Sequence, residues 1–300
     1  MNASRHRLLP WLALMLLPLL AACERGGGRE ATPVLRVGYP ASPLLGPLYA
    51  AHERQGELDP PPPWELVPFR TGGDVGYALL AGKIDTGFVE TEKTRKLLTT
   101  AGGEQLQVAG AVRFPYGATL VLRKDLKLRL DELAGRHIAA LEPDCSINHQ
   151  FRKDARRHGL DPQALHFSYM PFAEMLPALE AGTIDGALVK GAYGVLAELA
   201  GHKILYQNWE VAAGDDCCPA SLAQTEFFLV VRKAQLDRFI PVIKTLVAAD
   251  SLPANDLRAA VAARLGYPPA ALERFPVASF ALIDEATRQT LGANQCAIIR

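Results

Sequence analysis

Hydrophobic positions along this chain switch repeatedly between a period of two and a period near 3.6. Residues 34–39 (Val34-Leu35-Arg36-Val37-Gly38-Tyr39) alternate as a strand, and residues 44–55 then carry a helical pattern. Residues 60–63 are a proline run, a stiff connection rather than an element. A second strand over 64–69 is followed by Thr71-Gly72-Gly73-Asp74, a turn that opens the next helix. A helix around 93–100 and a strand over 106–112 follow. Phe114-Pro115-Tyr116-Gly117 breaks the pattern before a strand over 118–123. Strands at 136–141, 166–170 and 184–189 then alternate with helices ending near 158, spanning 172–179 and starting at Gly191-Ala192-Tyr193. A strong β run at 225–232 precedes two amphipathic helices, 236–252 and 256–265. Strands separated by helices predict an α/β protein whose sheets are mostly parallel and flanked by helices.

One stretch is written twice. Residues 78–90 read ALLAGKIDTGFVE, and residues 178–190 read ALEAGTIDGALVK. In each copy an apolar helix ends at a glycine, Gly82 or Gly182, which closes a helix in the left-handed conformation at no steric cost. An Ile-Asp step then leads into a small apolar strand. Two copies 100 residues apart predict two similar lobes. Asp85 and Asp185 are expected to fix the helix-to-strand turns, while Glu90 and Lys190 stand at the carboxyl ends of matching strands, where ligands of open α/β sheets sit.

Composition narrows the class. The chain has 300 residues, 49% of them hydrophobic, with 32 basic and 32 acidic residues. Without the first 22 residues, which hold Arg5 and Arg7, the balance is −2, so no basic footprint for nucleic acid exists. Those first residues are themselves distinctive. A short basic start is followed by an apolar run, residues 8–20, too short for a comfortable membrane span. Leu20-Ala21-Ala22-Cys23 closes it and resembles the lipobox of bacterial lipoproteins, in which the cysteine is lipidated. Residues 1–22 then read as a signal peptide, Cys23 as the lipidated first residue and 23–33 as a flexible tether.

The order of elements, the repeat and the lipobox together resemble the solute-binding lipoproteins of bacterial ABC importers, in the nitrate, sulfonate, taurine and thiamine-pyrimidine group. The pieces that carry the resemblance are Leu35 to Tyr39 as the opening strand, residues 78–89, and Asp131-Glu132-Leu133-Ala134-Gly135-Arg136-His137-Ile138-Ala139. The resemblance covers about residues 34–285. It implies the type II periplasmic-binding fold, with a ligand cleft between the lobes. Lobe 1 would take residues 34–114, lobe 2 residues 115–224, and residues 225–300 would return to lobe 1 as a strand and helices. Crossings near 114–118 and 223–225 would form the hinge. The resemblance further implies a lipid-anchored monomer on the periplasmic side of a bacterial membrane, or on the cell surface of a Gram-positive host. Its partners would be a small polar or anionic solute and the permease and ATPase subunits, with no cofactor. Where such proteins often carry a Trp-Glu-Pro-Tyr-like segment, this chain has Lys190-Gly191-Ala192-Tyr193.

Strand-to-helix turns from both lobes would line that cleft. The candidates are Tyr39, Ser42, Thr71, Gly72, Glu90, Thr91, Tyr116, Cys145, Ser146, Lys190 and Tyr193. Helix starts and Lys190 suit an anion, whereas Glu90 suits a cationic or amide group. Beyond Cys23, the cysteines are Cys145, Cys217, Cys218 and Cys296. Adjacent Cys217 and Cys218 cannot readily pair. Two connectivities remain, each tying one of them to Cys145 and the other to Cys296. A metal site of Cys145, His149, Cys217 and Cys218 is the alternative; the lack of close C-x-x-C or H-x-x-x-H spacing favours disulfides. No G-x-S-x-G, P-loop or H-E-x-x-H motif is present, so the chain reads as no enzyme. The other readings kept open are a pyrimidine-synthase-like enzyme on the same fold and a sensory lipoprotein without a transporter.

Overall fold

The structure is a computed structural model that describes residues 33–57, 63–114, 119–143, 145–207, 225–273, 275 and 277–291. The signal peptide, Cys23, the tether, Tyr116, Cys217, Cys218, Cys296 and most of both crossing segments lie outside the described residues. Among the described residues, no helix is long and apolar enough to cross a membrane.

In chain order the elements of the first half are β1 (Leu35–Pro40), α1 (Gly46–Glu53), β2 (Trp64–Phe69), α2 (Gly72–Leu80), β3 (Thr86–Glu90), α3 (Thr91–Thr99), β4 (Leu106–Arg113), β5 (Thr119–Leu122), β6 (His137–Ala140) and α4 (Ser146–Arg157). Then come β7 (His166–Tyr169), α5 (Phe172–Glu180), β8 (Gly186–Val189), α6 (Ala192–Leu199), β9 (Lys203–Gln207), β10 (Thr225–Arg232), α7 (Leu236–Asp250), α8 (Ala254–Leu265), α9 (Pro269–Glu273), β11 (Ser279–Leu282) and α10 (Glu285–Leu291). They build two sheets. One has six strands in the order β11-β4-β10-β3-β1-β2, the other five in the order β7-β6-β8-β5-β9. The first defines lobe 1 and the second lobe 2.

The sheets are more mixed than the strand–helix alternation predicts. In lobe 1, β2, β1 and β3 run parallel, while β10 is antiparallel to both β3 and β4, and β11 is antiparallel to β4. In lobe 2, β7, β6 and β8 are parallel and β5 is antiparallel to β8 and β9. The reversals follow from connectivity. Each antiparallel central strand, β10 or β5, enters its sheet from a crossing segment rather than through a helix of its own lobe, so no right-handed crossover sets its direction.

Strand alternation sorts the side chains into cores on both faces of each sheet. Along β10, Phe227, Leu229 and Val231 face the layer containing α1, α7 and α8, whereas Phe228 and Val230 face α2 and α3. In lobe 2, Leu120, Leu122, Ile138 and Leu188 pack on one side, with Val121, Ala139, Ala187 and Val189 on the other.

The repeat is scaffold in both lobes. Gly82 and Gly182 take φ of +66° and +72°. The Arg36 backbone N–H donates to Asp85 Oδ2 at 2.8 Å, and the Asp85 N–H donates back to the Arg36 carbonyl at 3.0 Å. Likewise the His137 N–H donates to Asp185 Oδ2 at 3.0 Å, and the Asp185 N–H to the His137 carbonyl at 2.8 Å. Each aspartate thus pins the turn to the first residues of the neighbouring parallel strand. Asp85→Ala or Asp185→Ala, leaving a strand N–H unpaired, is expected to cost about 1–3 kcal/mol in urea unfolding with solute affinity unchanged.

Candidate functional site

The carboxyl ends of the six parallel strands converge on one cavity of about 250 Å³. Lobe 1 supplies residues 40–44 after β1, 69–71 after β2, and Glu90 and Lys93 at the end of β3 and the start of α3. Lobe 2 supplies Leu141, Glu142 and Cys145 after β6, Pro171 to Ala173 after β7, and Lys190, Gly191 and Tyr193 after β8. Because β10 runs antiparallel to β3, its beginning rather than its end reaches the same place, bringing Thr225, Glu226 and Phe227. Much of the lining is apolar, including Leu44, Phe69, Ile147, Phe172 and Phe227. A cavity of about 430 Å³ shares Ala41, Phe172, Ala173 and Tyr193 with it and continues over Leu265 and Tyr267.

Of the residues expected at a cleft, the structure brings Ser42, Thr71, Glu90, Cys145, Lys190 and Tyr193 to this cavity. Ser42 caps the turn before α1, accepting from the Leu44 N–H at 3.3 Å, while the Tyr49 hydroxyl donates to its carbonyl at 2.9 Å. Thr71 and Asp74 form a reciprocal capping box that starts α2. The first amide inside that helix, Gly72 N–H, donates to Glu90 Oε1 at 2.9 Å. Gly72 therefore acts on the wall through Glu90 rather than lining it. The other oxygen, Glu90 Oε2, is buried with no partner among the described residues. Burial pushes the Glu90 carboxyl above its usual range, against the opposing pull of the Gly72 amide.

Two expectations need correction, Tyr39 and Thr91. Tyr39 does not reach the cavity. It shares a strand face with Leu35 and Val37, so alternation turns it into the lobe 1 core, where its hydroxyl accepts from Arg264 Nε and Nη2 at 2.9 and 2.7 Å. Thr91 is buried behind the wall and donates to the Thr225 carbonyl at 2.7 Å. Cys145 carries no disulfide among the described residues, and the partners expected for it, Cys217, Cys218 and Cys296, lie outside them. Cys145 stands just before α4 and packs on the lobe 2 core. The metal alternative also depends on Cys217 and Cys218, outside the described residues; of its other members, His149 on α4 is exposed, and burial raises the Cys145 thiol pKa. Among the described residues no group of three or more His, Cys, Asp or Glu could hold a metal ion. Ser146 is the first residue of α4, and its side chain lies outside the described part.

Besides Arg70 at the exposed margin, three charged residues of the wall were not singled out by sequence: Lys93, Glu142 and Glu226. They form ion pairs across the cleft. Lys93 Nζ of lobe 1 lies 3.0 Å from Glu142 Oε2 of lobe 2. Lys190 of lobe 2 pairs with Glu226 of lobe 1, both side chains largely buried. The signal for Lys93 is its position three residues after the strand-end Glu90, one helical turn on. Glu226 is legible only once β10 is known to begin at the cleft. A double-mutant cycle with Lys190→Met and Glu226→Gln is expected to return a coupling of about 1–2 kcal/mol from urea midpoints.

No protein-family model matches the chain, and no curated protein matches it by sequence. Solved structures do match it. The alkanesulfonate-binding protein SsuA from Xanthomonas axonopodis pv. citri, bound to MOPS, superposes with a TM-score of 0.67 at 23% identity, over 87% of this chain and 91% of its own. The periplasmic aliphatic sulphonate-binding protein SsuA from Escherichia coli gives 0.66 at 18% identity, over 87% and 90%. A ligand-binding component of an ABC-type import system from Staphylococcus aureus, with zinc bound, gives 0.64 at 20% identity, over 87% and 90%. The chain therefore has the two-lobed periplasmic-binding fold. Its structural neighbours fall in the same sulfonate- and nitrate-binding group that the sequence resembles.

Proposed function

We propose that this chain is the solute-binding component of an ABC-type importer, capturing a small molecule between its lobes and delivering it unchanged to a permease driven by an ATPase. The observation that carries this reading is the cavity walled by strand ends from both lobes, with Lys93–Glu142 and Lys190–Glu226 spanning it. A clamp of this kind gains ligand contacts on both walls only when closed, so solute shifts the population toward closure. The fold neighbour from Staphylococcus aureus, named as the ligand-binding component of an ABC-type import system, supports the same role.

Lipidation at Cys23 would hold the protein at the periplasmic face of the membrane, or at the surface of a Gram-positive cell, as a monomer beside its permease. Cys23→Ser is expected to move the protein from the membrane fraction to the soluble one, with loss of radiolabelled palmitate. The importer role itself is tested by deleting the gene and following uptake of labelled solutes. A selective uptake defect, restored by the intact gene, supports the reading. Unchanged uptake across the panel, or conversion of a solute by the purified chain, would sink it.

A further inference from the structure

The cavity holds two buried polar groups with no hydrogen-bond partner among the described residues, Glu90 Oε2 and Thr225 Oγ1. They belong to neighbouring strands: Glu90 closes β3 opposite Phe227, two residues along β10 from Thr225. Buried polar groups in folded proteins are almost always satisfied, so a pair of exceptions on one cavity wall calls for a partner from outside the chain. An ionised carboxylate only accepts hydrogen bonds, whereas a hydroxyl both donates and accepts. The other carboxyl oxygen is already held by the Gly72 amide, which fixes the group in place.

The remaining charges of the wall point the same way. Lys93 and Lys190 are each engaged by a carboxylate from the opposite lobe, and Arg70 stands exposed at the margin. An anion seated deep in the cavity would lie beside the Glu90 carboxylate and compete with Glu142 and Glu226 for the lysines. We propose that Glu90 and Thr225 form the recognition pair for a small nitrogenous solute, with a ligand N–H donated to Glu90 Oε2, a second polar atom bonded to Thr225 Oγ1, and an apolar body against Phe69, Phe172 and Phe227. This assignment rests on the capture reading above and names its ligand class: amines, amidines or amino-heterocycles rather than sulfonates or nitrate.

The test is calorimetric titration of the purified chain with benzamidine, benzylamine and 4-aminopyridine, and in parallel with benzenesulfonate, benzoate and nitrate. Wild type is compared with Glu90→Gln and Thr225→Val. At least one N–H probe is expected to bind, weakened about tenfold or more by Glu90→Gln and roughly three- to tenfold by Thr225→Val. Both variants should melt at or above the wild-type temperature without ligand, because Glu90→Gln removes a buried carboxylate charge and Thr225→Val removes a buried unpaired hydroxyl. Tighter binding of the anions, or N–H probes indifferent to Glu90→Gln, would overturn the assignment and leave the capture reading standing. Failure of both sets to bind overturns it as well, with capture then judged by uptake alone. Variants that melt far below wild type would mark the two groups as structural and equally refute it.

Discussion

Gly72→Ala is expected to lower solute affinity about a hundredfold while the chain stays folded. A Cβ added at Gly72 would lie 2.3 Å from Glu90 Oε2, 2.7 Å from Glu90 Cδ and 3.0 Å from the Glu90 backbone nitrogen. No real side chain tolerates the first two contacts, so the carboxylate must swing away and surrender its bond from the Gly72 amide. Both the aim of Glu90 and its fixed orientation are lost at once. The helix loses nothing by the change, since alanine is the better helix former. Gly73→Ala is the matching control: its Cβ would meet only Thr71 Oγ1, at 3.5 Å, and affinity should not move. Titration of the two variants with the N–H probes reads the difference directly.

Phe228→Ala should cost about 3–5 kcal/mol, the range for removing a fully buried aromatic ring. Phe228 is completely buried on β10, opposite Val89 of β3 and Ala111 of β4, and packs with Val75 and Leu106 under α2 and α3. A loss of that size is a large share of the 5–15 kcal/mol that holds a typical domain together. Its position magnifies the effect. β10 is the strand that joins β3 to β4, and it arrives only after the chain has passed through lobe 2. Destabilising it should loosen the strand ends at Glu90 and Thr225 together, so binding is expected to fall alongside the urea midpoint. Lobe 2 is one continuous segment whose own core does not include this residue.

The scaffold was largely legible in the sequence because periodicity and glycine placement are local signals. The repeated helix end at Gly82 and Gly182, the aspartate pins, the Thr71 cap and the strand ends at Glu90 and Lys190 all follow from short windows of residues. What was hidden is non-local. Tyr39 looks like a cleft residue at a strand end, yet its side-chain parity places it with Leu35 and Val37 in the core. Glu226 and Thr225 reach the cavity because β10 is antiparallel, a fact set by the crossing between lobes. The strands β9 and β11 are short edge strands without long alternation, and they too escape a reading by period. The pairing of Lys190 with Glu226 changes the reading of a lone lysine at a strand end: its charge is met by a carboxylate at the start of β10, a partner 36 residues away that no short window of sequence shows.

Native mass spectrometry of the chain purified from its own cells, before and after denaturation, tests capture without conversion most directly. One small molecule per chain is predicted, released at unchanged mass, bearing an N–H group, and missing from Gly72→Ala. A chain that carries no stoichiometric solute, or that releases one chemically altered during incubation, would contradict the account.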